Sequence, residues 1–263
     1  MKDATPNSDP FTSMVPFDGG RSYQASRRVR LGDVSSGGHI RLDAVARYLQ
    51  DIAGDDVDDA GINGEAGWVV RRTSLEVRHR PGYEQDVVLV TWCSGTGAAW
   101  AERRTTVSLA GRPVIEASSV WVCMDPVSRR PKALDERFFA AYGRTPQSRT
   151  VQSRLQLPGD PPVEAVRRSW PLRDADFDVL GHVNNAIAWS AMEEQAQGGR
   201  IARAQVEYRR AIEAGCELGV VSDVHDGLIG AWLIDGSGVS VVSAVLQMTD
   251  PHQSAARTRP SRA

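Results

Sequence analysis

The chain has 263 residues, enough for one large domain or two small ones with a sizeable core. With 41% hydrophobic residues, 24% charged residues and a net charge of −2, it reads as an ordinary globular protein, without the global basicity of a nucleic-acid binder. No apolar run reaches the ~18 residues of a membrane helix, so no membrane span is expected.

Residues 1–20 lack the charged-then-apolar order of a signal peptide and are rich in Pro, Ser, Asp and Gly. They are expected to be disordered, as is the tail 251–263. Cys93, Cys123 and Cys216 are odd in number and widely spaced, which fits neither a disulfide framework nor a zinc site. A reduced, cytoplasmic setting is expected, with no metal and no cofactor.

Gly38-His39-Ile40 precedes a stretch in which Leu42, Val45, Leu49 and Ile52 recur at helical spacing on one face. Extended runs rich in Val, Thr, Trp and Ile follow at 87–92, 103–109 and 114–124, punctuated by turns such as Leu109-Ala-Gly-Arg-Pro113. From 141 to 163 the composition shifts to Gly, Pro, Gln, Ser and Arg, which reads as a linker between domains at 21–140 and 164–250. The pattern then repeats. Gly181-His182-Val183 stands 143 residues after Gly38-His39-Ile40, and Val206-Glu207-Tyr208-Arg209 stands 131 residues after Leu75-Glu76-Val77-Arg78. A helical stretch with Ile187 and Met192 follows the second Gly-His, and extended runs follow at 202–208, 217–224, 231–234 and 239–248. Each half therefore reads as strand, helix, then antiparallel strands. A helix apolar on one side and a sheet with one face to bury solve each other's problem. The expectation is an α+β chain of two tandem hot-dog folds, each an antiparallel sheet wrapped on a central helix.

The second half carries Asp176-Phe-Asp178-Val-Leu-Gly181-His182-Val-Asn184-Asn185-Ala-Ile-Ala-Trp189, then Glu193-Glu194. This resembles the signature of the acyl-acyl-carrier-protein thioesterases. Glu207-Tyr208-Arg209-Arg210 resembles that family's Glu/Asp-Tyr-Arg-Arg strand, and Thr91-Trp92, 117–124 and 80–86 resemble its first-half elements. The likeness spans roughly residues 20–250. It implies hydrolysis of fatty acyl thioesters on an acyl carrier protein. The alternatives are an acyl-CoA thioesterase of the same fold, a hot-dog hydratase, and a non-catalytic acyl-thioester binding protein. One chain with both units can act as a monomer or pair as a homodimer.

A thiolate leaves readily, its conjugate acid having a pKa near ~8.5. The demands are a nucleophile and stabilisation of the oxyanion, each well-aimed donor being worth roughly 3–4 kcal/mol. A helix N-terminus offers unpaired amides for the second task, so the backbone of Gly181 and Val183 is the expected oxyanion cradle. By resemblance Asp178 holds the acid–base or nucleophile position, with attack through water or through an anhydride both open. His182 and Asn184 complete the expected catalytic set. Asp178 and Asn184 are also good caps. Asn185 and Trp68 are expected at the substrate, with Trp92, Trp100 and Trp121 as further candidates for lining an acyl tunnel. Arg129, Arg130 and Lys132, with Arg71 and Arg72 as a second option, form candidate docking patches for an acidic carrier. Two positions depart from the plant pattern: Leu180 replaces an Asn, and Ala211-Ile212 replace Glu-Cys. His39 is followed by Arg41 where the second half has Asn184, so the first half is expected to shape the tunnel rather than catalyse.

Overall fold

The computed structural model describes residues 9–17, 19–62, 67–143 and 149–249. The first half runs β1 (Ser22–Arg28), α1 (Leu42–Asp59), β2 (Gly67–Val77), β3 (Asp86–Thr96), β4 (Trp100–Leu109), β5 (Arg112–Met124) and the short α2 (Glu136–Tyr142). The second runs β6 (Arg168–Trp170), α3 (Asn185–Gln195), β7 (Ile201–Tyr208), β8 (Leu218–His225), β9 (Leu228–Ile234) and β10 (Ser240–Met248). All ten strands form one sheet in the order β1-β3-β4-β5-β2-β7-β10-β9-β8-β6.

That order reads the same from both edges, with β6 matching β1 and β7 matching β2. The central pair β2–β7 is antiparallel, with Arg72 opposite Glu207 and Leu75 opposite Ala204. Equivalent strands paired antiparallel require an approximate twofold axis normal to the sheet, midway between them. The two halves are hot-dog units joined edge to edge, as expected.

The helices share one face of the sheet. Leu42, Val45, Leu49 and Ile52 are buried, as their spacing requires, in one continuous core with Leu75, Leu89, Ile115, Trp189, Met192, Val206 and Leu246. In α3 the small side chains of Ala186, Ala188 and Ala191 are buried and leave room for close approach to α1.

The opposite face is covered too, which the composition did not announce. Phe11, Leu157 and Val245 form a small cluster there. Thr12 donates from N and Oγ1 to Gln205 Oε1 at 3.2 and 3.0 Å. The expectation of disorder through residue 20 is therefore corrected at 9–17, where Phe11 gains from being buried on the sheet. The stretch 149–160 is likewise a docked strap rather than a free linker. The buried carboxylate of Glu207 accepts the amides of Gln156 (2.8 and 3.0 Å) and Leu157 (3.0 Å), and Trp100 Nε1 donates to the Val151 carbonyl at 2.8 Å. Residues 1–8 and the tail 251–263 lie outside the described residues.

Candidate active site at the start of the second helix

Both Gly-His motifs adopt the same loop. In the first half Ser35 N–H donates to the His39 carbonyl, Gly38 N–H to the Ser35 carbonyl, and Ile40 N–H to the Pro81 carbonyl, at 2.8–2.9 Å. In the second, Asp178 N–H donates to the His182 carbonyl (2.8 Å), Gly181 N–H to the Asp178 carbonyl (3.0 Å), and Val183 N–H to the Ile212 carbonyl (2.8 Å). Gly38 and Gly181 sit at φ 76° and 77°, a left-handed turn that glycine takes without Cβ strain. Upstream, Asp33 Oδ2 accepts the Arg30 amide and Asp176 Oδ2 the Arg173 amide, both at 2.9 Å. The 143-residue offset thus extends from Arg30/Arg173 to Leu42/Asn185, the first residues of α1 and α3.

The backbone amides of the second motif decide what it can bind. Gly181 and Val183, expected as the oxyanion cradle, are not available: a turn and a bridge to the neighbouring loop take their N–H groups. His182 N–H goes to Asp178 Oδ1 at 3.2 Å and Asn184 N–H to the Asp176 carbonyl at 2.8 Å. Asn184 is the helix cap, its Oδ1 accepting Ala186 N–H at 2.9 Å. That leaves Asn185 N–H, which has no partner among the described residues. The open donor is therefore two residues beyond the expected cradle. Its position is braced, since Tyr208 Oη donates to the Asn185 carbonyl at 3.1 Å while accepting from Trp189 Nε1 at 2.9 Å. Burial raises the pKa of the Tyr208 hydroxyl, which keeps it a donor.

Asp178 is half-buried in the loop that leads into α3. Its Oδ1 accepts Leu180 N–H at 2.8 Å as well as His182 N–H, so the carboxylate both shapes its loop and keeps Oδ2 for other partners. His182 is half-buried beside it and bridges to Glu213 through the backbone. Leu180, at the Asn position of the plant pattern, is 75% exposed beside the fully exposed Val179.

The twofold axis makes α1 and α3 antiparallel. Leu42 N–H donates to Glu193 Oε2 at 2.7 Å, which sets their register. Asn185 lies eight residues before Glu193, about 12 Å along the axis, and so stands level with Gln50 on α1. From Gln50 an apolar cavity of about 220 Å³ runs along Ala53, Gly54 and Val57, the i, i+3, i+4, i+7 face of α1. Trp68, Trp121, Phe138 and Cys93 wall it, with Arg103 and Tyr142. Asp178 and His182 do not line it.

Other expected residues divide clearly. Trp68 and Trp121 line the cavity, whereas Trp92 packs edge-on to Phe17 and Trp100 holds the strap. Arg129 and Arg130 are exposed on the loop after β5, and half-buried Lys132 lines a small pocket that shares Trp68. The patch at Arg71 and Arg72 is corrected: Arg72 is buried and donates to the carbonyls of Gln152 and Arg154, and Arg71 to those of Tyr208 and Arg209. Glu193 is not a merely solvated charge, since it also pairs with Arg80. Among the described residues no cluster of His, Cys, Asp and Glu is placed to hold a metal, and no helix is long and apolar enough to cross a membrane.

Fold and site together define a double hot-dog protein with an apolar cavity along α1 and a Gly-His loop leading into each long helix. Residues 20–142 match the family model of the acyl-ACP thioesterase N-terminal domain. Over 234 residues the chain is 26% identical to an uncharacterized protein of Mycobacterium tuberculosis, covering 87% of this chain and 93% of that one. It is 25% identical to the chloroplastic palmitoyl-acyl carrier protein thioesterase of Arabidopsis thaliana, covering 83% of this chain and 61% of the plant protein. The crystal structure of an acyl-ACP thioesterase from Bacteroides thetaiotaomicron superposes with a TM-score of 0.73 at 20% identity, over 87% of this chain and 98% of that one. Residues 20–142 thus resemble the N-terminal domain of acyl-ACP thioesterases, and the similarity to a protein of that name continues through the second half.

Proposed function

We propose that the chain hydrolyses fatty acyl thioesters of acyl carrier protein to the free acid and the carrier thiol. The observation that carries this reading is the Asn185 N–H, without a partner among the described residues, at the start of the helix that the Asp178–His182 loop leads into, in a chain that also holds an apolar cavity along α1. The acyl chain lies along α1 against Trp68, and the thioester carbonyl points at Asn185 N–H and the positive end of the α3 dipole. Asp178 acts through Oδ2, as base toward water or as nucleophile toward the carbonyl. His182 orients the attacking group. Asn184 serves by holding the helix start in place, and the Asn185 side chain faces substrate from the same turn. The thiolate leaves with little acid assistance.

Carrier rather than coenzyme A is favoured by the exposed Arg129 and Arg130, with Lys132 close to the Trp68 wall of the cavity. A binding protein without turnover is the second reading; it draws on Asp178 Oδ1 being engaged by its own loop. Thiol release from acyl-carrier and acyl-CoA substrates tests both. Asp178→Asn keeps the two amide bonds to Oδ1 and is expected to lower kcat by roughly 10²–10⁴-fold. Wild-type turnover in that variant would remove Asp178 from the chemistry, and absence of turnover in the wild-type chain would leave binding alone.

A further inference from the structure

The apolar cavity has a definite far end. Its α1 wall begins at Gln50 and finishes at Val57, about 10 Å along the helix axis. At the Val57 end α2 closes it. Tyr142 Oη donates to Asp56 Oδ2 at 2.9 Å and accepts from Arg103 Nη2 at 3.2 Å, which ties the end of α2 to the last turn of α1. Phe138, one turn earlier in α2, is buried between Tyr142 and Trp68, with ring centroids 4.9 and 5.8 Å away. Its amide donates to Asp135 Oδ1 at 3.0 Å, the cap of α2. A second, smaller pocket of about 40 Å³ under Lys132, Ala133 and Leu134 is also lined by Trp68 and Phe138. The two rings therefore partition one space from the other. α2 follows β5, and no helix follows the equivalent β10 among the described residues, so this stop belongs to the first half alone.

We propose that Phe138 is the stop that sets acyl length, and that the chain selects medium-chain acyl groups of about eight to ten carbons. A fully extended chain advances about 1.2 Å per bond, so the length of the α1 wall takes about eight bonds. The cavity volume of about 220 Å³ agrees, holding about seven methylenes of roughly the size of a water molecule, 30 Å³ each. The carbonyl carbon and its neighbour stay outside. A sixteen-carbon chain needs nearly twice that length and meets the Trp68–Phe138 wall. Phe138 cannot be pushed back toward Tyr142 without breaking the bonds that Asp56 and Arg103 make to it. The inference rests on the thioesterase reading and names its substrate class.

The test is thiol release by the full chain from acyl-carrier substrates of six to sixteen carbons. kcat/KM is expected to peak at eight to ten carbons and to fall at least tenfold by sixteen. Phe138→Ala joins the two spaces, so its optimum should move to twelve carbons or longer. Because losing a buried ring also lowers Tm, Ala53→Leu serves as a second variant. Ala53 lines the cavity, leucine has nearly the same helix propensity, and its longer side chain fills the space. Its optimum should move to six carbons or shorter at near wild-type Tm. Wild-type turnover of sixteen-carbon substrate equal to that of eight, or an unchanged length profile in Ala53→Leu or in folded Phe138→Ala, overturns the proposal. If no substrate of any length releases thiol, the thioesterase reading falls instead. A Tm raised by octanoyl-coenzyme A and not by hexadecanoyl-coenzyme A would then still uphold the length limit, and equal shifts from both would remove it.

Discussion

Removing the carboxylate of Asp56 should destabilise the first half by about 4 kcal/mol. The side chain of Asp56 is 1% exposed. It accepts from Arg103 Nη1 at 2.6 Å, Tyr142 Oη at 2.9 Å and Arg21 Nη2 at 3.0 Å. Arg21 is 25% exposed and also pairs with Asp59, so the loss on its side is within ~1 kcal/mol. Arg103 is only 12% exposed and would keep neutral partners, Thr91 and Tyr142. A buried cation stripped of its counter-ion costs about 3–5 kcal/mol, and the lost Tyr142 bond about 1 kcal/mol, partly within the same total. Burial, opposed by Arg103 and reinforced by Asp56, pushes the Tyr142 hydroxyl up to about 12, so it stays a donor at neutral pH. At roughly 2–4 °C per kcal/mol, Asp56→Ala should lower Tm by about 8–16 °C in scanning calorimetry. Asp56→Asn keeps a hydrogen-bond acceptor without the charge and should fall between. An Asp56→Ala variant within ~1 kcal/mol of wild type by urea denaturation would show that Arg103 is solvated without its partner, and the charge accounting would fail. Arg103 and Tyr142 wall the apolar cavity proposed to take the acyl chain, so turnover should fall with stability.

Acid should unfold the chain through its buried carboxylates. Burial alone would raise Asp43, but hydrogen bonds from Arg41 and Arg47 and their charges outweigh it and hold its pKa below the usual 3.8. Asp176 behaves alike, burial being outweighed by hydrogen bonds from the Arg173 side chain and backbone amide. Groups depressed on folding contribute stability that is present above the unfolded pKa and lost as pH falls through the folded one. The urea midpoint should therefore drop from about pH 4 downward, and Asp43→Asn should lower it at pH 7 while flattening that decline. If the exposed loop after β5 receives an acidic carrier, turnover of carrier-linked substrate should fall with added salt more steeply than that of a short thioester mimic. Arg129→Ala/Arg130→Ala should remove the difference. Equal salt slopes in the wild type would place docking elsewhere.

Local chemistry was legible in the residues. The spacing of Leu42, Val45, Leu49 and Ile52 declared the buried face of α1, and the repeated Gly-His turn declared two equivalent loops, because a left-handed glycine and a capping side chain act within a few residues of themselves. Asn184 caps its helix as its residue type suggests. Most strands of both halves fell where β-branched runs predicted them, whereas β1, β2, β6 and α2 did not stand out, being short or mixed in polarity, as where Arg71 and Arg72 interrupt β2. The segments 9–17 and 149–160 looked like loose chain because neither carries a sustained helical or alternating apolar period, and Pro10, Pro16 and Pro158 interrupt them. Their order comes from Gln205, Glu207, Trp100 and Trp232, contributed by strands far along the chain.

Composition, the twofold repeat and the cap residues are properties of neighbours along the chain, and the sequence by itself determined them: two hot-dog units, each with a helix entered through a Gly-His turn. What reaches the first amide of α1 was decided only in three dimensions. Leu42 and Glu193 are 151 residues apart, and nothing near either says that one will cap the other. An amide becomes a binding donor by what fails to reach it, and that depends on the register of two packed helices rather than on the residues that flank it.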